Sequence, residues 1–235
     1  MEKKVSYVSF LPFYIPVLML FLFAAAGWSR GVTTILVNAP VTERRTVIID
    51  AGHGGFDGGA ASCTGRSESE YNLEIALRLD DLLHLLGINT VMVRTSDTAV
   101  NTGGNTIAQK KVSDLKERVA LINGINDAIL ISIHQNQFRD SRYSGAQVFF
   151  APTVGSEQMA RTLQAALIST VNPTSHREIK RASSVYLMQN IHCTGILVEC
   201  GFLSNPTEER KLRDPDYQKK LCSVIAATTS AFLFS

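Results

Sequence analysis

Cysteine is scarce in this chain, and basic clusters and phosphate-loop signatures are missing. Four cysteines occur in 235 residues, Cys63, Cys193, Cys200 and Cys222, and no two form a Cys-x-x-Cys pair. That excludes a zinc ribbon, and a domain of this size needs no disulfides, so buried thiols are expected. Lys and Arg never run beyond a pair and the formal net charge is only +2, which argues against a nucleic-acid partner. No Gly-Lys-Ser/Thr occurs, and Gly52-x-Gly54-x-x-x-Gly58 is not the dinucleotide fingerprint. No internal repeat is visible, and no cell-wall-binding or lectin-like module is recognisable. With 45% hydrophobic and 19% charged residues, the chain can bury one full-sized core.

The first thirty residues differ in kind from the rest. Lys3 and Lys4 precede a stretch without charge, Val5 to Ser29, whose apolar part ends in Ala24-x-Ala26. A basic start, an apolar centre and a small-residue exit make a secretory signal. The stretch is also long enough to anchor in a bilayer, although Pro12 and Pro16 favour the shorter signal. The expected organisation is a signal peptide or membrane anchor over 1–30, a linker over 31–45 and one domain over 46–235. The domain is expected outside the cytoplasmic membrane, with the N-terminus available to contact it.

From residue 46 strands and helices alternate, which predicts an α/β domain: a mixed, mostly parallel sheet with helices on both faces. Strands are expected at Val47–Asp50, Thr90–Arg94, Ala128–His134, Ala146–Phe150, Ser184–Met188 and Gly195–Cys200. Helices are expected at Glu70–Leu86, Asp114–Asn126, Glu157–Val171 and Pro215–Phe234, with a polar loop at Asn101–Gln109.

The chemistry concentrates where strands end. The run Val47-Ile-Ile-Asp-Ala-Gly-His53 hands over to a glycine-rich loop containing Asp57, and Ile131-Ser-Ile-His134 ends in the same manner. A third apolar run carries a carboxylate, Leu197-Val-Glu199. Parallel strands place their carboxyl ends on one edge of the sheet, so these groups can meet. Catalytic zinc commonly takes His/His/carboxylate and keeps a position for water, so one more carboxylate is needed near the first loop. Glu68 and Glu70 both qualify. A carboxylate within an apolar strand, as at Glu199, is rare unless paired or metal-bound, and suits general acid–base work. His84, between leucines, reads as structural; His176 and His192 read as exposed, with His192 a reserve ligand. Arg94 is a candidate for a peptide carboxylate, or for a surface ion pair with Asp97.

Four segments, VIIDAGHGGFDGGA (47–60), ESEYNLEIALRL (68–79), SIHQN (132–136) and VECGFLSNP (198–206), resemble the signature blocks of zinc-dependent N-acetylmuramoyl-L-alanine amidases of the Amidase_3 type. The resemblance implies zinc ligands at His53, Glu68 and His134 and a catalytic glutamate at Glu199. It favours Glu68 over Glu70 because Asn72-Leu73 follows at the family's interval. It implies peptidoglycan, stem peptide and glycan strand, as substrate. Lys110–Arg118, Gly65–Glu68 and Ser144–Gln147 are further similar to the spore-cortex, CwlD-type members, whose product feeds muramic δ-lactam formation. An activating protein partner is a further expectation, with the enlarged loop 101–112 as a docking candidate. Ala51 and Cys200 depart from the family's usual residues, and Cys200, beside Glu199, raises the question of whether its oxidation could perturb the site. A vegetative wall amidase, a non-cutting peptidoglycan binder and a different zinc hydrolase are the competing readings.

Overall fold

The computed structural model describes residues 45–234; the expected leader or anchor, and the linker up to residue 44, lie outside them. Six strands form one sheet: β1 (Thr46–Ala51), β2 (Thr90–Met92), β3 (Ala128–Asn136), β4 (Gln147–Phe150), β5 (Lys180–Arg181) and β6 (Thr194–Phe202). Their order is β2-β1-β3-β6-β4-β5. The four strands from β2 to β6 run parallel, β4 is antiparallel to β6, and β5 pairs parallel to β4. The expected mixed, mostly parallel sheet is what forms.

The apolar runs supply both faces of this sheet by the two-residue period of a strand. Val47, Ile49, Ile131, Ile133, Ile196 and Val198 point to one face. There they pack on α1 (Glu68–Leu85), α3 (Ser156–Thr170) and α6 (Pro215–Leu233). Ile48, Leu130 and Leu197 point to the other. That face is covered more thinly, by α2 (Ile107–Asn123) and the short α4 (Tyr186–Asn190). Each fully buried Ile or Leu contributes roughly 1.5–3 kcal/mol. The short helix α5 (Pro206–Arg213) packs against β6 and α6. Among the described residues no helix is long and apolar enough to cross a membrane.

Three expectations change. Ser184–Met188 is not a strand: residues 186–190 form α4, and the neighbouring edge strand is the exposed pair Lys180–Arg181. A short apolar run does not by itself distinguish a strand from a buried helical turn. Helix α2 starts at Ile107 and ends at Asn123, so the expected polar loop is helical over its last residues. Thr106 Oγ1 accepts from Gln109 N–H at 3.2 Å while Gln109 Oε1 accepts from Thr106 N–H at 3.2 Å, a reciprocal cap that starts the helix there. Cys200 and Cys222 are buried free thiols, but Cys63 is exposed and Cys193 only half-buried.

Thr106→Ala should remove that cap and lower stability by about 1 kcal/mol, read as a lower urea midpoint with an unchanged slope. An unchanged midpoint would mean that α2 does not begin at this cap.

Candidate metal centre and active site

The register of the central strands decides what meets. Ala51 pairs with Ile133, Gly52 N–H donates to Ile133 O at 3.0 Å, and His134 pairs with Glu199. His53 follows β1 by two residues with φ +61°, an uncommon left-handed conformation for a residue with a side chain. Gly52 is required here for space: a Cβ on it would lie 2.2 Å from the His134 ring. The two imidazoles therefore approach closely, ring centroids 5.1 Å apart and edge to face.

Glu68, in the first turn of α1, lies between them. Its Oε1 is 3.0 Å from His134 Nδ1 and its Oε2 3.3 Å from His53 Nε2. The ligand atoms of His53, Glu68 and His134 all lie within 4.8 Å of one another. Gln135 N–H (3.2 Å), Asn72 Nδ2 (3.3 Å) and Ala60 N–H (3.0 Å) donate to the same carboxylate and fix its orientation. Burial pushes Glu68 up, but hydrogen bonds from His134 and His53 outweigh it and hold the carboxyl well below its usual range. Burial disfavours charge on His53, yet Glu68 and Asp57 raise it to about 9. The cluster thus attracts a positive charge between its donors.

Glu199 has the opposite character. Its Oε2 is buried with no hydrogen-bond partner, and burial pushes its carboxyl up to about 7 despite the nearby His134. Two imidazoles and a shared carboxylate are a donor set that suits zinc, and an orphaned buried carboxylate oxygen beside them fits a group awaiting water or a ligand.

Sequence reasoning missed the supports. Asp57 Oδ2 is 3.0 Å from His53 Nδ1, and its Oδ1 is 2.7 Å from Lys111 Nζ and accepts from Gly59 N–H. The four-residue spacing from His53 was the available signal. Arg118, buried in α2, pairs with Asp50 and, at 2.6 Å, with Asp114, and donates to the carbonyls of Ala51 (3.1 Å) and His53 (2.7 Å). Arg94 is neither a peptide contact nor a surface ion pair. It is buried and donates to the carbonyls of Ala51, Gly52, Ser69 and Ser96 at 2.8–3.0 Å, while Asp97 accepts from Gly55 N–H.

The other candidates fall away. Glu70 bonds Arg66 and Ser67 at the surface. His84 is exposed and faces Asp80 and Thr90. His176 is exposed, as is His192, whose N–H donates to Asn123 at the far end of α2. Cys200 points into the core on the sheet face opposite Glu199.

A parallel-sheet edge that gathers acid–base groups around a cation-attracting cluster defines a hydrolase of the α/β class. The chain belongs, more narrowly, to the Amidase_3 family, described as N-acetylmuramoyl-L-alanine amidase, whose family model matches residues 47–230. It is similar to the germination-specific N-acetylmuramoyl-L-alanine amidase of Bacillus subtilis strain 168, 37% identical over 228 residues, 96% of this chain and 93% of that one. The CwlD amidase of Clostridioides difficile, solved in complex with the GerS lipoprotein, shares 35% identity at a TM-score of 0.77, over 81% of this chain and 98% of that one. Another N-acetylmuramoyl-L-alanine amidase, from Clostridium difficile 630, gives 32% identity and a TM-score of 0.72, over 82% and 98%. Peptidoglycan amidase activity follows from this membership.

Gly52→Ala should push the His134 ring away from Glu68 and cost about 1–3 kcal/mol. A crystal structure and an unfolding curve of the variant check this; an unmoved ring at full stability would contradict the packing described.

Proposed function

We propose that this protein is a zinc-dependent amidase that cleaves the amide between the lactyl group of N-acetylmuramic acid and L-alanine, acting on spore-cortex peptidoglycan. His53, Glu68 and His134 would hold the ion, and Glu199 would be the catalytic acid–base. The observation that carries the reading is the register pair His134–Glu199, which sets a partnerless buried carboxylate beside a three-donor cluster. Bound zinc supplies Lewis acidity, lowering the pKa of water and polarising a carbonyl.

The rest is done by the chain's own groups. Glu199 Oε2 takes the proton of the attacking water and passes it to the leaving L-alanine nitrogen. A carboxyl poised near 7 can both accept and return a proton at neutral pH. Asp57 accepts from His53 Nδ1–H and so leaves Nε2 as the ligand nitrogen. The donors on Glu68 keep its two oxygens turned towards the histidines.

The germination-specific name of the Bacillus relative and the CwlD likeness support the cortex as the site of action and δ-lactam synthesis as the next step. The leader expected from the sequence over residues 1–30 supports export, by cleavage or as an anchor, and the GerS complex of the relative supports an activating lipoprotein partner.

Glu199→Gln tests the reading. The purified variant should keep one zinc per chain while hydrolysis falls about 10²–10⁴-fold, whereas His134→Ala should lose most of its zinc. A strain carrying Glu199→Gln should grow and separate normally but make spores without muramic δ-lactam. Surviving activity would remove Glu199 from the reaction; chained vegetative cells with normal cortex lactam would point to a vegetative role.

A further inference from the structure

The row of side chains containing the catalytic pair continues across the sheet. His134 on β3 and Gln147 on β4 both lie opposite Glu199 on β6, and directly opposed residues point to the same face, with Cβ atoms about 5 Å apart. Gln147 is buried, and its amide is committed: Nε2 donates to Glu178 O at 2.8 Å and Oε1 accepts from Arg177 Nη1 at 3.0 Å. Arg177 Nε donates to Ser144 O at 2.7 Å. Its guanidinium lies 4.4 Å from the centre of the Phe202 ring. Phe202 comes within reach because the β3–β6 register shifts after His134, so that it pairs with Asn136 at the open end of the sheet.

Arg177 is thus held by two hydrogen bonds and an aromatic face beside the catalytic row. It has no ion-pair partner among the described residues, and Nη2 makes no hydrogen bond to them. The carboxylate whose field it feels, Glu208, is engaged by Gly145 N–H at 2.6 Å. A half-buried guanidinium with no anion bound to it carries a desolvation cost that the field of Glu208 offsets only in part. Its planar fork suits a carboxylate, and stacking on an aromatic ring fixes that fork in advance.

We infer that Arg177 binds a carboxylate of the stem peptide and so makes the enzyme selective for substrates whose stem carboxylates are free rather than amidated. The inference rests on the reading of the chain as a muramoyl–alanine amidase, because only then does the leaving side of the substrate carry such groups. It assigns Arg177 to substrate recognition, next to Gln147, which lies opposite Glu199. Tyr143, stacked on Phe202 at 6.1 Å, lies 5.8 Å from the same guanidinium, and exposed Phe138 meets Tyr143 edge to face at 4.8 Å.

The test compares two substrates of the zinc-loaded enzyme in one assay: muramoyl tripeptides with every stem carboxylate free, and the same tripeptides with each converted to carboxamide. The readout is the ratio of kcat/KM for the free acid over the amide, in wild type, Arg177→Gln and Arg177→Lys. The wild type should favour the free acid about ten- to a hundredfold, mostly through KM. Arg177→Gln should bring the ratio close to one, and Arg177→Lys should restore part of it, with the preference weakening in salt. Because the ratio is taken within each enzyme, a general loss of stability or zinc cancels. A preference that persists in Arg177→Gln, or a wild type indifferent to amidation, would overturn the inference while leaving the amidase reading intact. A wild type that cleaves neither substrate, even with its activating lipoprotein partner present, would instead overturn the amidase reading.

Discussion

Two buried arginines hold the segment on which this site depends. At Ala51, Gly52 and His53 the chain leaves β1, and their carbonyls face the interior as the loop begins. Arg94 takes the carbonyls of Ala51 and Gly52, Arg118 takes those of Ala51 and His53, and Asn72 adds a second bond to Gly52. Unmet, each buried acceptor would cost about 1–3 kcal/mol. The Arg118 charge is itself matched by Asp50 and Asp114. The left-handed backbone at His53 is therefore over-determined, as strained residues at functional sites are when they persist.

That anchoring lets the two faces of the sheet do different work. One face is closed by three long helices and provides most of the core. The other is covered over its lower part by α2 and α4, and near the carboxyl ends of the strands it carries Ser132, His134, Glu199 and Gln147. Charged and amide groups occupy the thinly covered end because a tightly packed apolar layer would leave them without partners. The same α2 that closes the lower part brings Arg118 and Lys111 to the first loop, so one helix supports both His53 and its partner Asp57.

Much of this was legible in the sequence, and the reasons for what was not are local. The buried strands announce themselves as β-branched runs, and two of them end in histidine, so β1, β3, His53 and His134 could be read directly. The choice of Glu68 over Glu70 was not readable from spacing and came only with the family resemblance: both lie in the first turn of α1, where one faces the imidazoles and the other Arg66. Helix α5 is short and highly charged, without an apolar stripe, although Asn205-Pro206 was a readable start signal. Arg94 and Arg118 look like surface charges in sequence; Asp114 and Arg118 have the spacing of an ordinary exposed helical pair. Their burial follows from carbonyls supplied by a distant loop, which no local pattern encodes.

The proposed function places one zinc ion between His53, Glu68 and His134, with Glu199 beside it and not bound to it. Anomalous diffraction from zinc-loaded crystals, recorded on both sides of the zinc absorption edge, tests this most directly. The expected result is one strong peak per chain, about 2.0–2.2 Å from a nitrogen of each histidine and from a Glu68 oxygen, with Glu199 outside that distance. A peak elsewhere, no peak at full zinc loading, or Glu199 replacing one of the three ligands would contradict it.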